Sequence, residues 1–223
     1  MYIGDYLGRL AIYSPDALAI VDAGKSPVWR LTFAQMNERA NRLANWLQQE
    51  AGIGYGDRVA ILARDGVEHL DLFFACAKLG AIHTALNWRL HWRELVGILE
   101  NTTPKVIVYS DDFREAVQNL QNDPEVTCLS HFVHIEGDGV PDSYLFENCL
   151  QMGTTTPVVT PQVTDETIAA LIFTGGTTGL PKAAQVSHRM IAWNTLNTVI
   201  HDLHHEDVYL NVFPLFHTGG LFV

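Results

Sequence analysis

Apolar and polar positions follow two rhythms along this chain. From residue 33 to 47, Phe33, Met36, Ala40, Leu43, Ala44 and Leu47 recur every three or four places, which puts them on one face of a helix. Thr32 and Gln35 stand where a capping box would start that helix, and Gly52 and Gly54 follow its end. The next stretch, RVAILA at 58–63, is apolar at nearly every position, as in a strand covered on both faces. The pattern then alternates. A helix over 66–80 closed by Gly80, a strand over 81–86, a helix over 91–102, a strand over 105–110, a helix over 112–121 led by an Asp cap, a strand over 131–137 and a short helix over 143–153 are predicted in turn. Beyond a Thr/Pro-rich stretch, strands are predicted over 167–174 and 183–188, then a helix over 189–203 and a strand over 207–216 that ends at Pro214.

Strand–helix alternation at such short intervals predicts an α/β fold with largely parallel sheets flanked by helices. Residues 1–151 form a first α/β segment, 152–166 a connector without periodicity, and 167–223 a further segment of the same large domain. No internal repeat interrupts this order.

Charge narrows the partners. With 25 acidic against 14 basic side chains and a net charge of −11, the chain is a poor match for nucleic acid. A local phosphate site remains compatible with that balance, since backbone donors and one lysine suffice. The three cysteines, Cys76, Cys128 and Cys149, are an odd number without C-x-x-C spacing, which fits reduced thiols in a cytoplasmic protein. No stretch approaches the ~18 apolar residues of a membrane-spanning helix, and the start lacks the basic and apolar regions of a signal peptide.

One stretch carries candidate chemistry, LIFTGGTTGLPKAAQVSH at 171–188. Gly175, Gly176 and Gly179 let the backbone turn so that its N–H groups converge, and converging N–H groups make an anion-binding concavity. Thr174, Thr177 and Thr178 add hydroxyl donors and Lys182 adds a positive charge. Together they suit a polyphosphate. The G-x-x-x-x-G-K-[ST] loop does not fit, because Leu180 and Pro181 occupy the positions it would require as Gly and the residue before Lys. Since a strand is predicted on both sides, the loop reads as a hairpin tip. A plain linker or tight turn remains the alternative.

Two further clusters are weaker. His201, His204 and His205 have ligand-capable spacing on a helix, but no Cys or carboxylate set completes a metal site, so none is assigned. The stretch NWRLHWREL is read as an amphipathic helix with exposed charges.

The loop, FTGGTTGLPKAAQVSH, resembles the signature loop of the adenylate-forming (AMP-binding) enzyme superfamily, in its acyl-CoA synthetase branch. Three other stretches agree in order and spacing. LTFAQMNERANRLANWLQQEAGIGYGDRVAIL is similar to the family's amino-terminal helix and first strand, FFACAKLGAIHTALNWRL to its L-G-A…L-N-x-R-L segment, and NVFPLFHTGG to its P-L-F-H-x-x-G motif. The resemblance runs over about 28–223. Gly175 stands where many members have Ser, and Ala183 where many have Gly.

The resemblance implies ATP, Mg²⁺ and coenzyme A as cofactor and co-substrates, and a small-molecule carboxylic acid as substrate. It implies that Thr174, Gly175, Gly176, Thr177, Thr178, Gly179 and Lys182 bind the β- and γ-phosphates. It also implies that His217 lines the carboxylate pocket, and its presence points away from amino-acid substrates. The family's adenine, ribose, hinge and carboxy-terminal catalytic-lysine motifs are not in this sequence, so no catalytic residue is assigned. The chain is therefore expected to be an incomplete amino-terminal domain of the acyl-CoA synthetase-like fold, inactive alone and prone to form a homodimer. The competing expectation is a stand-alone nucleotide-binding or interaction module of the same fold that does no chemistry.

Overall fold

The computed structural model describes residues 2–174, 181–204 and 206–222. The chain opens with helix α1 (Ile3–Tyr13) and an antiparallel hairpin, β1 (Leu18–Asp22) and β2 (Trp29–Thr32). Helix α2 (Phe33–Gln49) starts at the expected capping box. Thr32 Oγ1 accepts the Gln35 N–H at 3.3 Å, and Gln35 Oε1 accepts the Thr32 N–H at 2.9 Å. Then come β3 (Arg58–Leu62), α3 (Val67–Leu79), β4 (Ile82–Ala85), α4 (Trp92–Thr102), β5 (Val106–Tyr109), α5 (Arg114–Asn122), β6 (His131–His134), β7 (Tyr144–Leu145) and α6 (Phe146–Met152). Last are β8 (Ile168–Thr174), β9 (Lys182–Ser187), α7 (His188–Thr198) and the short α8 (Thr218–Leu221).

Seven strands form one sheet in the order β7-β6-β5-β3-β4-β8-β9, parallel except for the β8–β9 pair. Strand β3 sits at its centre, and residues 59–62 are at most 1% exposed. Successive side chains of a strand point to opposite faces. Val59 and Ile61 accordingly join a core with α2, α3 and α6, whereas Ala60 and Leu62 join one with α4 and α5. Fully burying each large aliphatic chain contributes about 1.5–3 kcal/mol.

Two connections run in opposite senses. After β3 the chain packs α3 on the first face, and Gly80, at φ +70°, ends that helix in the left-handed conformation. After β4 it packs α4 on the second face and crosses β3 to reach β5. The carboxyl ends of β3 and β4 therefore bound a topological switch point, where open α/β sheets place their ligands.

Several expectations are corrected. The amino-terminal helix and hairpin were not expected; Ile3 and Leu7 of α1 are buried, and the Ile3 N–H donates to His188 Nδ1 at 3.2 Å. No Asp caps α5, because Asp111–Phe113 form a 3-10 turn and the helix begins at Arg114. Trp88 and Arg89 lie in a turn ahead of α4, whose cap is His91. Residues 207–216 form no strand, because none of the described strands pairs with them.

Two buried histidines predict a pH response. His69 on α3 and His83 on β4 meet edge to face with ring centroids 6.3 Å apart. Among the described residues neither ring nitrogen of His83 has a hydrogen-bond partner. Burial lowers His69 to about 4 and His83 to about 3. An unfolded histidine titrates near 6.5, so below that pH the unfolded chain binds more protons and stability falls with pH. Denaturant unfolding at pH 7.5 and pH 5 should differ by about 2 kcal/mol per histidine. His83→Phe, which keeps a ring and removes the proton site, should make that difference smaller. An unchanged difference in the variant would contradict this origin.

Candidate active site at the carboxyl edge of the sheet

Four chain segments meet at the switch point. Strand β3 runs into Arg64, Asp65 and Gly66, and β4 runs into Asn87, Trp88 and Arg89. Asn87 Oδ1 accepts the Arg89 N–H at 3.0 Å, which tightens the turn. The third segment is 214–217. The Leu215 N–H donates to Asp65 Oδ1 at 2.8 Å, and Phe216 stands edge-on to Trp88 with centroids 6.0 Å apart. The fourth is the end of β8, where Phe173 joins the same cluster that Trp88 packs against.

Two guanidinium groups lie over half-buried Trp88 and buried Phe216. Arg64 Cζ lies 4.2 Å from the Trp88 ring centroid, and Arg89 Cζ lies 5.0 Å from it and 5.6 Å from that of Phe216. Arg64 also pairs with Asp112 at 3.0 Å.

His217 is exposed and caps α8 through Nδ1, which accepts the Gly219 N–H at 3.4 Å. The turn that presents it needs a glycine at 220. An added Cβ there would collide with the carbonyl oxygens of Pro214 and Phe213, whereas one at Gly219 would meet its nearest atoms at 3.9 Å.

Thr174 and Lys182 face each other as the last register pair of the β8–β9 hairpin, and Thr174 Oγ1 donates to the Lys182 carbonyl at 3.2 Å. Gly175, Gly176, Thr177, Thr178 and Gly179 lie outside the described residues, as does His205. The hairpin opens onto a groove of about 540 Å³ beside α4, lined by Ile98, Leu171, Phe173 and Lys182. Arg58, also in this groove, is committed to the carbonyls of Gly56, Thr102 and Thr103. Lys182 has no ion-pair partner among the described residues. No cluster of three His, Cys, Asp or Glu able to hold a metal occurs among them either.

The structure thus brings Thr174 and Lys182 together and sets them and His217 at one edge of the sheet. Sequence reasoning did not find Asp65, Trp88 or Arg89 as parts of this edge. The available signal was their position just after two strands whose helices leave to opposite sides.

The profile of the AMP-binding enzyme family matches residues 10–223. The chain belongs to that family. It is 31% identical to an indoleacetate–CoA ligase of Aromatoleum aromaticum, over 99% of this chain and 42% of that protein. It is 32% identical to a long-chain-fatty-acid–CoA ligase of Thermus thermophilus, over 97% of this chain and 39% of that one. An inhibitor-bound crystal structure of the amino-terminal domain of FACL13 from Mycobacterium tuberculosis superposes with a TM-score of 0.86 at 29% identity, over 99% of this chain and 53% of that domain. The chain therefore spans about two fifths of the curated relatives it matches. The mostly parallel sheet expected from the strand–helix alternation is present.

The turn at 213–220 gives a paired prediction. Gly220→Ala should destabilise the segment by roughly 1–3 kcal/mol, as overpacking does, and speed protease cleavage between 206 and 222. Gly219→Ala should leave cleavage near the original rate. Equal rates in the two variants would contradict the close approach at 220.

Proposed function

We propose that the protein carrying this chain is an ATP-dependent carboxylate:CoA ligase. A carboxylate oxygen attacks the α-phosphorus of ATP, the bond to the bridging oxygen breaks, and pyrophosphate leaves as acyl-AMP forms. The thiolate of coenzyme A then attacks the acyl carbon, forming the thioester and releasing AMP. The supporting observation is the β8–β9 hairpin. It ends on a Thr174–Lys182 pair at the carboxyl edge of the sheet and bears the Gly-Thr stretch between.

The first step brings together two anions and expels a third. Backbone N–H groups and hydroxyls of residues 174–179, with the Lys182 ammonium, are assigned to the β- and γ-phosphates, where charge grows as pyrophosphate leaves. His217 is assigned to the carboxylic acid. ATP arrives as its Mg²⁺ complex, but the described residues offer no cluster to hold the cation, so its ligands are not assigned to this chain. No helix of the described residues is long and apolar enough to cross a membrane. Assignment to the cytoplasm rests on the odd count of cysteines without C-x-x-C spacing.

The test is the adenylation step in the complete ligase. Lys182→Ala and Thr178→Ala should each slow acid-dependent pyrophosphate release by about 10²–10³-fold, or roughly 2.7–4 kcal/mol, the cost of removing one such donor. Wild-type rates in both variants would refute the cradle.

The 223-residue chain alone is expected to lack turnover and to pair with itself. Trp193, Ile200, Val208, Leu210 and Val212 are each more than 60% exposed, and β9 is an edge strand of the sheet. Exposed apolar side chains and open backbone groups each favour association. Light scattering across a concentration series should show a dimer. A compact monomer at the highest concentration would contradict this.

A further inference from the structure

We propose that Asp65 is the positioning residue that holds the 214–217 segment, and His217 with it, against the carboxyl edge of the sheet. It thereby shapes the pocket for the carboxylic acid. The substrate consequence rests on the pocket reading of His217 given above; the anchoring stands on geometry alone.

Residues 206–213 are exposed throughout, so the chain reaches the edge as a segment with little packing of its own. It becomes buried abruptly at Leu215 and Phe216, which are 6% and 7% exposed. Phe216 inserts against Trp88 and the α2/α3 core, but a ring contact can slide along the chain direction. The bond that fixes register is the one from the Leu215 N–H to Asp65 Oδ1, between residues 150 positions apart. Its acceptor is an exposed side chain carried on a short stretch of backbone between two packed elements. Asp65 lies between buried Ala63 and the start of α3, and His69 Nε2 sits 3.4 Å from the Ala63 carbonyl oxygen. The donor belongs to a buried residue, so losing the acceptor would leave that N–H unpaired, which costs more than the bond itself contributes. Two residues further on, the His217 side chain closes the α8 turn. A shift of Leu215 therefore moves His217 directly.

Hydrogen exchange on the 223-residue chain reads the anchor. In Asp65→Ala the Leu215 amide should exchange about ten- to a hundredfold faster, as expected for a bond to a charged acceptor. Residues 58–63 should keep their protection, which shows that the sheet is still folded. Asp65→Asn retains an oxygen at the same place and should restore slow exchange. Unchanged exchange in Asp65→Ala, or equal acceleration in Asp65→Ala and Asp65→Asn, would overturn the anchor. In the complete ligase, Asp65→Ala should raise KM for the acid about tenfold or more, with KM for ATP within about twofold of the original. Accelerated exchange with neither KM changed, or with both raised equally, would overturn the link to the acid pocket. Failure of the ligase reading would show separately, as no acid-dependent pyrophosphate release from the unsubstituted protein, while exchange would still decide the anchor.

Discussion

Burial of strand β3 on both of its faces is the constraint from which the rest of this structure follows. A strand with no exposed face needs helices above and below it, and the chain supplies them in succession: α3 from one side, then α4 from the other. That change of side is what leaves the carboxyl ends of β3 and β4 uncovered. Residues there have backbone and side-chain groups that no helix occupies, and later parts of the chain use them. Asp65 takes the Leu215 amide, Trp88 takes Phe216, and β8 joins alongside β4 to bring its hairpin to the same edge. The proposed ligase chemistry is thus a property of one edge of a sheet rather than of a single loop.

Interactions away from that edge keep the helices in place. Arg39 on α2 reaches Asp71 on α3 and Glu147 on α6, at 2.8 and 2.9 Å, and locks three helices over the first face. Asn45 donates to the carbonyls of Thr154 and Thr156 and Asn41 to that of Thr155, which pins the otherwise irregular stretch after α6 along α2. The chain can then return to the sheet at β8. These contacts connect segments more than 30 residues apart, and a deeply buried carboxylate such as Asp71 tolerates its site only because a guanidinium meets it.

Much of this architecture was legible in the sequence because it rests on local periodicity. The capping box at Thr32, the continuous apolar run of β3 and the Gly80 stop each act through neighbours in the chain. What escaped depends on distant partners. Helix α1 has a buried face because α2, α3 and His188 cover it. The stretch at 207–216 has the composition of a strand, but none of the described strands pairs with it. The site was half legible. Thr174, Lys182 and His217 stand out as chemistry-bearing residues in tell-tale surroundings, whereas Asp65 is one aspartate among many until folding brings Leu215 to it.

A crystal structure of the complete ligase with acyl-AMP and pyrophosphate bound tests the central claim most directly, because it reads position rather than rate. The account predicts pyrophosphate within hydrogen-bonding distance of Lys182 and the backbone of 174–179, and the acyl group beside His217 and the 214–217 segment. Phosphates seated away from the β8–β9 hairpin, or an acyl group on the far side of the sheet, would contradict it.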